Sequence, residues 1–216
     1  MSAAAAASAS PLEPDHLVVA CRTLAEGRAW CEATFGVAPA PGGRHALMGT
    51  HNLLLAISSS RFPRSYLELI AIDPDASVPA RPRWFELDRP EIRALVASGP
   101  RLVHWVARTT DIDAAATRLR NAGFDPGPVA DAERMTARGL LRWRIALTAG
   151  GRRHAEGAVP LLIAWGDVHP IDSLPVSGVE LRSLRVSGIE PSLSALLGVD
   201  AGVPSSAALV AELAAP

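Results

Sequence analysis

The hydrophobic and polar positions of this chain fall into a strand–helix–strand rhythm that is played twice. DHLVVAC, from Asp15 to Cys21, is short, apolar and rich in β-branched residues, which predicts a strand. Thr23 then precedes LAEGRAWCEATFG, a helical stretch that stops at Gly36. APAPGGRHALMGTH carries too much Gly and Pro for a helix, and the apolar runs HNLLLAISS and SYLELIAIDP after it read as strands separated by FPR. Residues 15–74 thus predict the order βαβββ.

A linker rich in proline follows, ending in DRPEIRALVASG, a short helix with an expected Asp88 N-cap, Pro90 at its first position and Gly99 after it. The first pattern then returns. RLVHWVARTTDIDAAATRLRNAGF predicts a strand, an Asp-capped helix and a Gly stop, and GLLRWRIALTA and AVPLLIAWGD predict two further strands. Superposing the two copies places His104 on His16. Two copies of one supersecondary unit can complete each other's sheet, so the expected fold is α+β, built of paired βαβββ modules. The expected divisions are a disordered tail at 1–13, a first module at 14–75, a linker and capping helix at 76–100, a second module at 101–170, and an extension at 171–216. GVELRSLRVSG and PSLSALLG in that extension read as the strand and helix of a partial third module.

Composition narrows the function without naming it. With 49% apolar and 20% charged residues over 216 positions, the chain has the balance of a globular protein. A net charge of -1 and no basic stripe argue against nucleic acid. Every basic residue is arginine, a bacterial-type bias in composition. Cys21 and Cys31 are too few for a disulfide framework and lack metal-binding spacing, which suits a cytoplasmic protein. MSAAAAASASPLEP has no basic n-region, and Glu13 and Asp15 cut off any apolar extension, so no membrane association is expected.

The candidate chemistry lies where polar residues interrupt apolar strands. Side chains alternate faces along a strand, so Glu68 in YLELIAI shares a face with Tyr66 and Ile70, His16 with Val18, and His104 with Val106. A buried carboxylate needs a cation, a metal or several donors. Two imidazoles and one carboxylate can hold a divalent ion and leave positions open for substrate. Glu68 could equally pair with an arginine, and a strand histidine is often only hydrogen-bonded structure. GGRHALMGTHNLLL gathers Arg44, His45, Thr50, His51 and Asn52, which read either as turn chemistry or as substrate contacts, with His51 a candidate for proton transfer. Arg108, Arg142 and Arg144 interrupt strands of the second module; facing the cavity they would favour an anionic substrate, and otherwise they lie on an exposed sheet face.

DHLVVA, PGGRH, GTHN and YLELIAIDP together resemble the glyoxalase-like domain branch of the vicinal-oxygen-chelate (glyoxalase, bleomycin resistance and dioxygenase) superfamily, over residues 14–170. The resemblance implies a cupped mixed sheet with helices on its outer face and metal ligands on the first and fourth strands of modules, which by position are His16, Glu68 and His104. The fourth strand of the second module, PLLIAWG, offers Leu162, Ile163 and Trp165 where a fourth, acidic ligand would stand. This departs from the glyoxalase pattern and leaves a three-ligand set. The resemblance implies a divalent-metal enzyme of lyase, isomerase or dioxygenase type acting on a small oxygen-chelating substrate; from the residue pattern, Arg44, His45, Asn52 and Arg108 are the candidate substrate contacts. The alternative is a metal-free binding protein of resistance type. Module pairing between chains would make a homodimer.

Overall fold

The computed structural model describes residues 12–136, 139–203 and 208–215. Two modules form one eight-stranded mixed sheet. The first contributes β1 (Glu13–Ala20), α1 (Leu24–Phe35), β2 (Ala40–His45), β3 (Thr50–Ala56) and β4 (Tyr66–Ile72). A 3-10 turn at Trp84–Glu86 and α2 (Pro90–Ala97) lead to the second, with β5 (Arg101–Arg108), α3 (Ile112–Asn121), β6 (Val129–Thr136), β7 (Gly139–Ala146) and β8 (Leu161–Trp165). The strand order β2-β3-β4-β1-β5-β8-β7-β6 is symmetric about the centre, where β1 and β5 run antiparallel with Val18 opposite His104. β4 lies parallel to β1 and β8 parallel to β5. The modules therefore complete one another within one chain, curling the sheet into a cup.

Strand alternation sorts the core into two layers. Leu17, Val19, Leu67, Leu69, Trp105, Ala107 and Leu162 pack under α1 and α3 against Cys31, Phe35, Ile112 and Leu119. Val18, Ala20, Ile70, Val106, Leu161 and Ile163 face the inside of the cup, where Trp84 and Phe85 cover them. α1 begins on Thr23, whose side chain accepts from the Glu26 N–H, and ends at Gly36 in the left-handed region. α3 begins on Asp111 in the same manner.

Three details differ from the sequence pattern. Residues 1–11 lie outside the described residues, but Leu12 is buried and Glu13 already belongs to β1, so the expected tail is too long at its inner end. The N-cap of α2 is Arg89, with no side-chain bond; Asp88 instead takes the Arg83 backbone N–H at 2.9 Å and its guanidinium at 2.6 Å. A salt bridge to a buried arginine has displaced the cap. The second module also has a fourth strand, β6, where the pattern suggested only three.

The C-terminal segment forms a separate three-stranded sheet, with β9 (Glu180–Val186) between β10 (Asp200–Ala201) and β11 (Leu209–Ala214), and with α4 (Pro191–Leu196) following β9. It docks on the end of β3 through Leu181 N–H to Ile57 C=O at 2.9 Å and Ser59 Oγ to Leu181 C=O at 2.8 Å. Leu181, Leu184, Val186, Leu193 and Leu197 join the helix-side core.

Candidate functional site

The inside of the cup is largely apolar, and most of its polar side chains form one connected group. A β-bulge opens it: Pro14 faces Ala107 and His16 faces Val106, which leaves Asp15 as the extra residue on β1. The bulge lets two consecutive residues serve one site. Asp15 is fully buried, and its Oδ1 accepts from His16 Nδ1 at 2.6 Å. Its Oδ2 accepts from Trp165 Nε1 at 3.0 Å and His169 Nε2 at 2.9 Å. Burial by itself would raise this carboxyl, but the hydrogen bonds from His16 and His169 outweigh it and hold the group well below the usual carboxylate range. Asp15 is thus an anion that fixes the His16 ring, which also stacks on Tyr66 at 4.6 Å between centroids.

Glu68 is held from behind in the same way. β3 and β4 place Asn52 opposite Ile70 and Leu54 opposite Glu68, so Asn52 reaches the carboxylate diagonally. Asn52 Nδ2 donates to Glu68 Oε1 at 2.6 Å, and its Oδ1 accepts the Gly43 N–H at 2.7 Å. That amide orientation makes His45 Nε2, 3.4 Å from Asn52 Nδ2, an acceptor, and His45 Nδ1 then donates to Thr50 Oγ1 at 3.0 Å. Desolvation accordingly pushes the His45 pKa down to about 4. The atoms left over, His16 Nε2 and Glu68 Oε2, face each other at 3.7 Å, beyond hydrogen-bonding distance.

His104 stands apart from this pair. Its ring is buried beneath Phe85, edge-on at 5.3 Å, and its Nδ1 has no hydrogen-bond partner. Burial, reinforced by the Arg153 charge, pushes its pKa down to about 3, so the ring is neutral. Phe85 itself is held at a φ of 57°, a conformation costly for a bulky residue, and the ion pair of the adjacent Glu86 with Arg153 at 3.1 Å anchors the turn. Among the described residues, no three His, Cys, Asp or Glu side chains converge as a metal-binding group. Two of the three expected ligands meet and the third is sealed off.

The other expected residues separate by strand face. Asn52 and His45 line the cavity of about 40 Å³ with His16, Glu68, Tyr66 and Phe85. His51 does not: one position from Asn52, it points to the other side of β3 and lies 3.9 Å from Asp73. The proton-transfer expectation for His51 is corrected accordingly. Arg44 also turns outward, to Asp73 at 3.4 Å and Asp75 at 2.9 Å. Arg108 pairs with Glu13 and donates to Pro14 C=O at 3.0 Å, outside the cavity. Arg142 and Arg144 lie on an exposed face, paired with Glu133 and Asp113. The pattern missed Asp15, His169 and Arg134. Asp15 was hidden by its parity, which only the bulge reverses. Arg134 alternates with exposed Glu133 and Met135 on β6, and that alternation was the available signal.

Paired βαβββ modules, a cupped sheet and a polar group carried by the first and fourth strands define a protein of the vicinal-oxygen-chelate fold. The chain belongs to the glyoxalase-like domain family, whose model matches residues 15–198. No curated protein has a significantly similar sequence. Among solved structures, a hypothetical protein from Staphylococcus aureus is similar with a TM-score of 0.54 and 16% identity, over 85% of this chain and 73% of that one. A Streptomyces coelicolor methylmalonyl-CoA epimerase in complex with 2-nitronate-propionyl-CoA gives a TM-score of 0.42 and 21% identity, over 72% and 97%. The Mycobacterium tuberculosis methylmalonyl-CoA epimerase gives 0.41 and 19%, over 79% and 97%. No helix among the described residues is long and apolar enough to cross a membrane.

Proposed function

We propose that the chain is a divalent-metal enzyme of lyase, isomerase or dioxygenase type, with His16 and Glu68 as metal ligands and a small oxygen-chelating substrate bound in the cup. One observation carries this reading: both donors are tied from behind, by Asp15 and by Asn52, while their free atoms face each other at 3.7 Å without bonding. Metal-binding histidines commonly donate their second ring N–H to a carboxylate, as His16 does. A divalent ion held there would act as a Lewis acid on substrate oxygens. Asp15 keeps His16 in the tautomer whose Nε2 lone pair is free; Asn52 keeps one oxygen of Glu68 free. His104 is the third donor by position; to join the pair its ring, packed edge-on against Phe85 and with Nδ1 turned to the Gly157 backbone, must reorient.

Elemental analysis of protein purified without chelator tests the proposal. About one ion per chain is expected, falling strongly in Glu68→Ala and His16→Ala. Absence of a stoichiometric ion, or unchanged content in Glu68→Ala, overturns it. The burial of His104 under Phe85 favours a second reading, a metal-free binding cup. Its signature is ligand-induced thermal stabilisation that survives excess chelator. Cys21 and Cys31 are free and buried, which fits the proposed cytoplasmic location. Solution mass tests the homodimer.

A further inference from the structure

The cup has a second feature that the His16–Glu68 pair does not use. Arg134 reaches in from β6, and its Nε and Nη1 are buried without a hydrogen-bond partner. Neighbouring guanidinium groups behave differently: Arg44, Arg108, Arg142 and Arg144 all end on carboxylates. Among the described residues two of its three nitrogens are thus shut off from water and unpaired, which is costly, and an anion that supplies two oxygens in one plane relieves the cost.

Its position says where such an anion would come from. Arg134, Leu54, Leu141 and Pro170 line both the inner cavity of about 40 Å³ and an outer groove of about 710 Å³. The inner cavity has room for about three water molecules at most, so most of any ligand must occupy the groove. The groove is bounded by β2, β6 and the 168–174 segment. Arg134 stands at the boundary between the two spaces. It lies there because β2 offers no side chain at Gly43: a Cβ at that position would sit 1.8 Å from Arg134 Nη1.

We infer that the ligand of this cup carries a carboxylate, and that Arg134 binds that group at the junction of groove and cavity while the rest of the polar end points towards His16 and Glu68. The inference rests on the cup being the ligand site, as proposed above, but not on the metal.

The test compares malonate with its neutral diamide, malonamide, by calorimetry at constant ionic strength and with excess chelator, so that metal chelation by the probe does not contribute. Malonate is expected to bind the wild-type chain more tightly than malonamide. Arg134→Gln is expected to weaken malonate by about tenfold or more while leaving malonamide unchanged, with Arg134→Lys in between. Gly43→Ala, which retains the charge but displaces the guanidinium, is expected to lose the same preference. Metal content measured in parallel should match wild type in Arg134→Gln. Equal behaviour of the two probes towards wild type, whether both bind or neither does, overturns the inference, as does full malonate affinity in Arg134→Gln. Loss of the metal reading with the malonate preference intact leaves it standing.

Discussion

Asn52 joins three functional groups with one side chain, since it accepts from the Gly43 backbone, donates to Glu68 and lies against His45 Nε2. Asn52→Ala removes the donor from a buried carboxylate, which should cost about 1–3 kcal/mol in denaturant unfolding. In the proposed enzyme it should also lower metal affinity by about 10–100-fold, the usual effect of losing a group that orients a ligand. Unfolding in urea and elemental analysis check the two arms separately. Asn52→Asp is the sharper variant, because a second anion beside Glu68 at 2.6 Å should favour protonation of the pair and raise the apparent carboxyl pKa.

His45 makes a prediction in pH. Its ring is half-buried and neutral, with the folded pKa pushed from 6.5 to about 4, so in the window between those values the unfolded chain takes up a proton that the folded chain refuses. Stability contributed by the neutral ring is complete above about pH 6.5 and is lost as pH falls, at about 1.4 kcal/mol per unit within the window. His45→Gln should flatten this part of the profile, as read from denaturant midpoints between pH 7 and pH 4. An unchanged slope would show that His45 titrates normally in the folded state.

Elements were legible in proportion to how strongly they bury one face. Glu68 interrupts the apolar run of β4, His104 that of β5, and His16 stands at the start of the apolar run of β1, which is what drew attention to all three. β6, VADAERMT, is an edge strand with alternately exposed side chains and little apolar content, so its pattern is shared with loops, and Arg134 went unseen with it. Asp15 was missed for another reason: strict alternation puts it on the far face from His16, and the backbone bulge that reverses this leaves no mark in the residue types. The same alternation, applied correctly, separates Asn52 from His51. Asp15→Asn retains the shape of that bulge while weakening the charge that holds His16 and His169. In the proposed enzyme it should therefore lower metal affinity by about 10–100-fold with little change in far-UV circular dichroism; unchanged affinity would remove Asp15 from the site.

At the scale of the whole molecule, the repeat revealed the paired modules because each copy carries the same strand, helix and glycine stop, and β1 against β5 is where the copies join. The extension beyond them was less legible, since β10 has only two residues and β11 lies apart in sequence from its partner β9. It is nevertheless integral to the helix-side core, where Leu184 is fully buried beside residues of the same cluster from β1, β4 and β5. Leu184→Ala should therefore destabilise the entire chain by about 2–5 kcal/mol, as a large core truncation does. The change should appear as one cooperative transition at lower denaturant, followed in parallel by tryptophan fluorescence and circular dichroism. Two separate transitions, with the tryptophans of the cup insensitive to the change, would mean that the extension folds independently of the paired modules. A single transition would tie the stability of the cup to a sheet that contributes no residue to it.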